Sequence, residues 1–492
     1  MSASPGYRFL GKQTRVGTLE GEAWSGVLKT RKGRSWAVTG MGESRGEIYS
    51  QWDHLSNSGS WAGDPLRAWQ KSALSAWEAK NRIGVVEAVT GTGKSLVGTA
   101  AIHSVLELGG VAIVIVPSRA LTAQWAGNLQ RDLPQAKVGL ISDGTRDDFT
   151  KCNVIVTTVQ SAHRAPLKGR SLTLVVADEV HRYGSPAFSK ALASGYSWRL
   201  GLTGTYERVN DDGIETRLNP YFSGTVYEYS YGEALADDVV APFHLAFVGV
   251  ELDEGERSTY DEAEERCRES SDLLRRRYSY PMEWRDFFAR VTANSKEGYG
   301  DEESILCGAY IAGFSKKKQV LAQSGAKAAV SEALGETLAQ KSGTLVFTET
   351  KVSAVGHAFR ISKNASVWPL DGDSSAEERQ EKLRAFERGS LNVICAPRIL
   401  DEGIDIPEAE VALIVAASQS RRQMIQRMGR VIRKKADGRA AKVMIYFVTG
   451  SSEDPTLGGH EAFLEEIIPH ARNTVTFHDE QKSEISDWLM NA

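Results

Sequence analysis

The chain has 492 residues, of which 41% are hydrophobic and 25% are charged, and its formal net charge is -4 at pH 7. This length and composition predict a soluble, globular protein of about three domains. The charge balance excludes a strongly basic protein. A basic groove can still exist on an acidic surface, so total charge does not decide whether nucleic acid is a partner.

Targeting and covalent features narrow the class of protein further. No uninterrupted apolar run approaches the roughly 18 residues of a membrane-spanning helix, and the start of the chain lacks the basic-then-apolar layout of a secretory signal. We therefore expect a cytoplasmic protein without a membrane partner. The four cysteines lie far apart in the sequence, so we expect neither a zinc ribbon nor a disulfide framework.

The first 60 residues contain short apolar pieces that are broken by glycine, such as residues 7–11 and 33–40. They predict a small β-rich appendage over residues 1–60. Its aromatic and basic side chains are suited to stack on a nucleic acid. A solvated hairpin that packs on the main body explains them equally well.

A different pattern begins at Asp64-Pro65, which predicts a helix with an aspartate N-cap and a proline in its first turn. Short apolar runs then alternate with helical stretches. These runs are too apolar for half-exposed strands, so they favour a parallel sheet that is covered by helices on both faces. The predicted strands of this first α/β domain, residues 61–242, are residues 83–89, 111–116, 154–157, 172–177 and 200–203.

The alternation of strands and helices stops between residues 243 and 340, where the chain becomes dense in acidic residues and arginine. We predict a helical connector there. Strand and helix signals alternate again in a second α/β domain, residues 341–450, and a helical extension is predicted over residues 451–492. The predicted strands of the second domain are residues 344–348, 391–396, 411–416 and 443–448.

The strongest chemical signal is the loop between the first predicted strand and the helix that follows it. Two glycines allow the backbone N–H groups to point inward, a lysine follows, and a hydroxyl opens the helix. This arrangement suits a polyphosphate with its magnesium, although a Gly/Ser/Thr turn without function is the alternative. The predicted phosphate-binding residues are Thr90, Gly91, Thr92, Gly93, Lys94 and Ser95.

A second signal is Asp178-Glu179-Val180-His181, which follows the predicted strand at residues 172–177. Ligands of open parallel sheets collect at the carboxyl ends of the strands. Asp178 can therefore hold Mg²⁺ together with Ser95, and Glu179 can orient and deprotonate an attacking water. A lone acidic pair at the end of a strand is usually a solvated turn. The phosphate loop upstream favours the catalytic interpretation.

Arginines that could neutralise a transferred phosphoryl group occur in the second domain, in the segment from Gln426 to Arg433. Arg430 and Arg433 are three residues apart, so on a helix they would share one face. A solvated basic stripe is the alternative for an isolated segment of this kind.

Taken in order over residues 64–450, these motifs resemble those of the superfamily 2 helicases and translocases. Gln70 is similar to the family's adenine-reading glutamine, and Asp178 to His181 has the DEVH form of its second motif. Thr203-Gly204-Thr205 resembles the motif that couples hydrolysis to movement, with His181 beside it. Residues 346–348 resemble the fourth motif. The fifth and sixth motifs are represented by Gly403, Asp405, Gln426, Arg430 and Arg433.

The resemblance implies an α/β fold of two tandem RecA-like P-loop domains with parallel sheets, beside the helical connector and the β-rich appendage. It also implies an ATP-dependent DNA helicase or translocase that uses ATP and Mg²⁺, in DNA repair, replication or recombination. Lys94, Glu179, Gln426, Arg430 and Arg433 would be its catalytic residues. The lead-in from Leu66 to Gln70 is similar to that of xeroderma-pigmentosum-B and RadD-like helicases, and the type III restriction translocases are a further relative.

Contacts to the nucleic acid are implied by the same resemblance, mostly to phosphates. The implied residues are Ser118, Arg119, Thr157, Thr158 and Thr348. Three alternatives remain open at this point. RNA is the track in the first. In the second the chain is an ATP-gated remodeller that does not unwind, and in the third it is a restriction or defence translocase that works with a nuclease or repair partner.

Overall fold

The computed structural model describes residues 24–29, 35–40, 52, 55 and 59–491, apart from residues 143, 163–171, 209–211, 279–281, 283, 298–299, 342, 371–373, 398–408, 416–423, 425–427, 430 and 436. It divides into two compact units, Met1–His54 and Leu55–Ala492. In the first unit, strands β1 (Trp24–Lys29) and β2 (Ser35–Gly40) form an antiparallel hairpin. The predicted piece at residues 7–11 lies outside the described residues.

The second unit begins with an eight-stranded sheet whose central strands are buried and rich in β-branched residues. Its spatial order is β10-β3-β9-β8-β4-β7-β5-β6, and every pair is parallel except β5 with β6. Valine and isoleucine favour such strands because their branched side chains pack on a pleated surface. The strands are β3 (Ile83–Ala88), β4 (Val111–Val116), β5 (Val138–Ser142), β6 (Thr145–Arg146), β7 (Val154–Thr158), β8 (Thr173–Asp178), β9 (Trp198–Thr203) and β10 (Thr225–Tyr229).

Helices cover this first sheet, as the apolar strands require. They are α1 (Ala68–Ala79), α2 (Lys94–Glu107), α3 (Arg119–Asp132), α4 (Asn219–Phe222) and α5 (Tyr231–Ala236). The 3₁₀ turns Val180–Gly184 and Phe188–Ala191 and the π-helical turn Ile214–Leu218 complete this lobe. The prediction of a proline in the first turn of α1 is wrong, because the helix begins at Ala68 and its N-cap is Arg67.

A seven-stranded, all-parallel sheet forms the second lobe, in the order β13-β14-β12-β15-β16-β11-β17. The strands are β11 (Phe243–Val250), β12 (Thr344–Phe347), β13 (Val367–Pro369), β14 (Val393–Ala396), β15 (Val411–Ile414), β16 (Ala441–Val448) and β17 (Thr474–His478). The helices around it are α9 (Gly325–Ala333), α10 (Gly335–Ala339), α11 (Lys351–Ile361), α12 (Ala376–Glu387), α13 (Glu461–Ile467) and α14 (Lys482–Asn491). The short 3₁₀ turns of this lobe are Pro455–Leu457 and Ile468–His470.

Five described helices lie between β11 and β12, and the first three of them form the connector that the charged sequence predicts. They are α6 (Glu254–Arg277), α7 (Trp284–Glu297) and α8 (Glu302–Gln323). The connector has its own small core, in which Phe287 packs edge-on against Tyr310 with ring centroids 5.4 Å apart. Two α/β sheets and a helical connector therefore confirm the predicted fold class.

Two helical predictions around the second lobe are wrong in part. The strand β11 occupies the start of the predicted connector, and it lies between β16 and β17 in the sheet. The predicted helical extension contains β17, which pairs with β11. The partner of β11 on its other side is Ala441–Val448, almost 200 residues downstream, so local sequence patterns could not reveal either pairing.

The described cysteines are all free thiols, and Cys267, Cys307 and Cys395 are buried, whereas Cys152 is partly exposed. None of the helices in the described part of the chain is both long enough and apolar enough to cross a membrane.

A buried polar cluster joins α9 and α11 to the C-terminal part of the second lobe. Lys327 is fully buried, and its Nζ donates to Glu453 Oε2 at 2.6 Å and to the carbonyl of Val415 at 2.9 Å. Near it, the ring Nδ1 of His357 lies 2.9 Å from Ser331 Oγ. Burial lowers the pKa of His357 from 6.5 to about 4, and the charges of Lys327 and Arg360 act in the same direction.

The buried imidazole makes the stability of the second lobe depend on pH. The unfolded chain binds a proton between pH 6.5 and about pH 4 that the folded chain does not, so stability is full above pH 6.5 and is lost as the pH falls. We expect a loss of about 2 kcal/mol between about pH 7 and about pH 5. Urea unfolding at both pH values, followed by fluorescence, measures it. His357→Asn keeps a polar group toward Ser331 and should lose much less; an equal loss in both proteins would contradict the prediction.

Candidate nucleotide site at the carboxyl ends of the strands

Three neighbouring strands of the first sheet bring the sequence motifs together. The strand β3 precedes the glycine-rich loop, β9 ends at Thr203, and β8 ends at Asp178. Because β9 pairs in parallel with both of the others, all three carboxyl ends meet at one edge. Glu87 lies opposite Thr203, and Asp178 lies opposite Leu202. The edge is therefore the place where open parallel sheets bind ligands.

The loop after β3 has the curled backbone that its glycines predict. Gly91 and Gly93 have φ angles of 92° and 90°, a left-handed region in which a side chain would be strained. Thr92 is fully buried, and its hydroxyl donates to the carbonyl of Val89 at 2.7 Å. Lys94 Nζ donates to the carbonyl of Ala88 at 2.8 Å, at the mouth of the loop. The lysine is thus held where a phosphate would replace a weaker, neutral partner.

Gln70 braces the loop from the preceding helix. Its amide nitrogen donates to the carbonyl of Gly93 at 3.0 Å, and its oxygen accepts from the backbone N–H of Arg67 at 2.8 Å. The predicted adenine-reading residue is therefore buried with both ends of its amide engaged by the backbone. Arg67 was missed from the sequence, although it donates to the carbonyl of Thr92 at 2.9 Å. Its position three residues before Gln70, at the start of the same helix, is the sequence feature that could have identified it.

Asp178 occupies the end of β8 with both carboxylate oxygens in use. Oδ1 accepts the backbone N–H of Glu179 at 3.0 Å, and Oδ2 accepts the indole N–H of Trp125 at 2.8 Å. Burial raises the pKa of Asp178 from its ordinary value, while the Trp125 indole, the charge of Lys94 and the Glu179 amide act against that rise. The carboxylate is therefore oriented by the protein before any ligand binds.

The residues at this edge fit the magnesium ion that the motifs imply. The predicted donors are the hydroxyl of Ser95, in the first turn of α2, and the carboxylate of Asp178, and Mg²⁺ prefers such hard oxygen ligands. Over the described part of the chain, no group of three or more His, Cys, Asp or Glu side chains could hold a metal by itself. An ion at this site would therefore depend on phosphate oxygens as well, as Mg²⁺ in nucleotide sites does.

A hydrogen-bonded chain leads from the second motif to the third. Glu179 has a left-handed backbone, with φ of 51°, which is uncommon for a residue with a side chain. Its Oε2 lies 3.4 Å from Nδ1 of His181, and that nitrogen lies 2.8 Å from the hydroxyl of Thr203. The same hydroxyl donates to the carbonyl of Thr205 at 2.9 Å. The predicted coupling residues are thus in mutual contact.

Gly204 lies between the third motif and the phosphate loop. A Cβ atom at this position would meet Thr90 Oγ1 at 3.0 Å and Lys94 Nζ at 3.7 Å. The absence of a side chain at Gly204 leaves room beside Lys94. The third motif therefore lies directly against the loop that would hold the phosphates.

The second lobe reaches the same loop through the segment that carries the predicted arginines. A Cβ on Gly429 would lie 2.4 Å from Thr90 Cβ, and a Cβ on Gly91 would lie 3.6 Å from Cγ of Arg433. Arg433 also forms an antiparallel bridge with Val240, in the stretch that joins the two lobes. The structure thus places one of the two predicted arginines beside the phosphate loop of the other lobe.

Four more of the predicted nucleotide-site residues belong to the second lobe. Gly403, Asp405, Gln426 and Arg430 lie outside the described residues, so their roles stay predictions.

The residues predicted to contact nucleic acid differ in their accessibility. Ser118 caps α3, where its hydroxyl accepts the N–H of Leu121, and Arg119 beside it is exposed. The hydroxyl of Thr157 is buried and donates to the carbonyl of Ile141 at 3.0 Å. Thr348 is also fully buried, with its hydroxyl on the carbonyl of Thr350 at 3.2 Å, and Thr158 is nearly so. Ser118 and Arg119 are therefore the better-placed candidates.

Two family models match the chain in the expected order. Residues 64–208 match the type III restriction enzyme res subunit family, and residues 326–435 match the helicase conserved C-terminal domain. The first contains the phosphate loop and the acidic motif, and the second contains the arginine segment.

Among curated proteins, the chain is similar to DNA 3'-5' translocase XPB2 of Sulfurisphaera tokodaii, with 29% identity over 375 residues. That alignment covers 75% of this chain and 79% of the relative. It is also similar to DNA 3'-5' helicase XPB of Mycobacterium tuberculosis, with 26% identity over 82% of this chain and 64% of the relative. The predicted likeness to the xeroderma-pigmentosum-B group is confirmed.

Two solved structures share the fold. The RNA-bound Dbp5 of S. cerevisiae superposes with a TM-score of 0.56 at 16% identity, over 86% of this chain and 92% of that one. The Hef helicase domain of Pyrococcus furiosus gives a TM-score of 0.51 at 19% identity, over 80% of this chain and 97% of the other.

The contact of Gly429 with the phosphate loop gives a test of lobe docking. In Gly429→Ala the added methyl group overlaps Thr90, so the second lobe should be displaced from the loop, while the loop itself keeps its nucleotide contacts. We expect a larger distance between fluorophores on the two lobes in the presence of a non-hydrolysable ATP analogue, with analogue affinity within about threefold of the parent.

Gly356→Ala is the matched control, because nothing lies within 4 Å of a Cβ at that helical position. It should leave the distance between the lobes unchanged. If Gly429→Ala behaved like this control, the docked arrangement would not depend on the glycine.

Proposed function

Because the chain belongs to superfamily 2 of the helicases, we propose that it is a DNA-dependent ATPase that translocates along or unwinds a DNA strand. The observation that carries the proposal is the meeting of two incomplete half-sites. The first lobe supplies the phosphate loop with Asp178 and Glu179, and the second supplies Gly429 and Arg433 beside that loop. Each half lacks what the other provides.

Phosphoryl transfer from ATP to water needs little covalent chemistry from the protein, so positioning and charge dominate. In the proposed reaction Lys94 leaves the carbonyl of Ala88 and pairs with the terminal phosphates. Glu179 orients the attacking water and takes its proton. Arg433, with Arg430, neutralises the charge that spreads over the transferred group. Ser95 and Asp178 would hold Mg²⁺, which supplies further neutralisation of the phosphate oxygens.

Hydrolysis would be coupled to movement through the polar contacts that run from Glu179 by way of His181 and Thr203 to Thr205. The loss of the terminal phosphate changes the surroundings of Glu179, and His181 and Thr203 carry that change to the end of β9. Closure and opening of the two lobes would then shift one lobe relative to the other along the strand.

DNA is the proposed track because two relatives that match three quarters or more of this chain are named a DNA 3'-5' translocase and a DNA 3'-5' helicase. Ser118 and Arg119, at the amino end of α3, are the proposed contacts, since a helix N-terminus and an exposed guanidinium both suit a backbone phosphate. A role in repair, replication or recombination, and a nuclease or repair protein as partner, remain proposals of the same kind.

The direct test compares steady-state ATP hydrolysis with single-stranded DNA, duplex DNA and RNA of matched length. We expect single-stranded or duplex DNA to stimulate turnover, and stimulation by RNA alone would replace the DNA assignment with an RNA helicase. Displacement of a labelled strand, measured beside the ATPase rate, separates unwinding from translocation.

Removal of the loop lysine should abolish turnover. In Lys94→Ala the terminal phosphates lose their charged partner, and we expect the DNA-stimulated rate to fall by at least about a hundredfold. Lys137→Ala, which changes an exposed lysine on the same lobe, should hydrolyse ATP as the parent does. Stimulated turnover in Lys94→Ala would sink the motor assignment.

The arginines should affect turnover far more than stability. In Arg433→Ala and Arg430→Ala we expect kcat to fall by about a thousandfold, because the transition-state charge is no longer neutralised, while the melting temperature stays close to the parent value. Arg388→Ala, an exposed arginine in the same lobe, is the control. Parallel losses of kcat and of thermal stability would show that the arginines are structural.

A further inference from the structure

Trp125 touches the predicted metal ligand Asp178 from outside the sequence motifs. It lies on α3 with only 2% of its surface exposed, and its indole N–H donates to Asp178 Oδ2 at 2.8 Å. Since Oδ1 accepts the backbone N–H of Glu179, two donors from different elements fix the carboxylate against rotation. Without the indole, only the local backbone contact would hold its plane.

Close packing against α2, β8 and β9 holds the indole of Trp125 in place. A Cβ on Gly98, in the helix that follows the phosphate loop, would meet Cη2 of Trp125 at 2.7 Å. It would also meet Leu202 at 3.1 Å and Val176 at 3.2 Å. The ring thus fills the space that the missing side chain of Gly98 leaves between α2, β8 and β9. Any displacement of α3 must therefore move the ring against three elements of the nucleotide site.

The amino end of the same helix carries the two residues that are proposed to contact nucleic acid. Ser118 caps α3 and the exposed Arg119 opens it, six residues or about 9 Å along the axis from Trp125. The intervening turn is tightened by a bond from Thr122 Oγ1 to the carbonyl of Ser118 at 3.2 Å. A helix of this length moves as a rigid element, so a shift at its amino end also moves the indole.

We propose that Trp125 is a positioning residue that orients Asp178 and ties this orientation to the placement of α3 by the bound strand. The proposal rests on the proposed function, since it assigns to Asp178 the role of holding the metal. Hydrogen-bond partners of metal ligands commonly change metal affinity by 10- to 100-fold when they are removed. The indole N–H is such a partner. Because Trp125 lies on α3, which carries the proposed nucleic-acid contacts, the binding of nucleic acid would be coupled to the orientation of Asp178.

Trp125→Phe is the sharpest variant, because it removes the N–H donor and keeps a buried aromatic ring. Trp77→Phe is its matched control. Trp77 is also fully buried in the first lobe, and its indole N–H donates at 3.0 Å to the carbonyl of Arg199, a backbone group rather than a metal ligand. Both substitutions cost one buried hydrogen bond and similar packing, so their melting temperatures should fall by similar amounts.

Two readouts test the proposal. The first is equilibrium binding of a fluorescent, non-hydrolysable ATP analogue as Mg²⁺ is titrated, which needs no turnover. We expect Trp125→Phe to raise the half-saturating Mg²⁺ concentration about tenfold, with unchanged affinity for the analogue in EDTA. The second is the ratio of hydrolysis rates with and without single-stranded DNA, which we expect to fall by about tenfold, whereas Trp77→Phe keeps both parent values.

A match between Trp125→Phe and Trp77→Phe in either readout overturns the proposal. Gly98→Ala provides a second variant that displaces the indole without deleting it, and it should shift both readouts in the same direction. Failure of the proposed function would look different, because the unsubstituted chain would then show no DNA-stimulated hydrolysis while the Mg²⁺ titration could still be measured.

Discussion

The close packing of Gly429 on Thr90 is the contact on which the candidate active site depends. The phosphate loop and the two acidic residues belong to the first lobe and are held by hydrogen bonds within it, as Thr92 and Lys94 are by the carbonyls of β3 and its loop. Arg433 lies beside the loop because the backbone at Gly429 packs on Thr90 more closely than a residue with a Cβ atom could. A nucleotide that binds at this junction would be enclosed by both sheets, and its release would require them to separate.

Within the first lobe, the order of the strands brings the acidic motif to the phosphate loop, just as the contact between the lobes brings Arg433 there. The phosphate loop, the third motif and the second motif follow β3, β9 and β8. These strands are adjacent in the sheet, although β3 and β9 are separated by more than a hundred residues of chain. Parallel pairing aligns their carboxyl ends, so loop, hydroxyl and carboxylate converge without any special loop geometry. Polar contacts from Glu179 through the buried His181 to Thr203 then link two of these ends directly.

The apolar cores would make each of the two lobes move as a rigid body. Each sheet has a fully buried centre, as in Val111–Val116 and Ala441–Val448, and close-packed interiors of this kind transmit displacement instead of absorbing it. Trp125 is part of this close packing. Its ring fills the space beside Gly98, and its indole N–H donates to the carboxylate of Asp178. Packing and hydrogen bonding therefore converge on the residue that the sequence assigns to the metal.

The sequence by itself determined the fold class, the identity of the phosphate loop and the order of the motifs, because glycine spacing and apolar runs of this kind report local backbone geometry. It could not place β11 or β17, whose partners are far away in the chain, and it put Pro65 inside a helix that begins later. Only the tertiary structure decided that Thr157 and Thr348 are buried, that Arg67 touches the loop and that Trp125 holds Asp178. These facts depend on which side chains meet across elements, and no single stretch of residues carries that information.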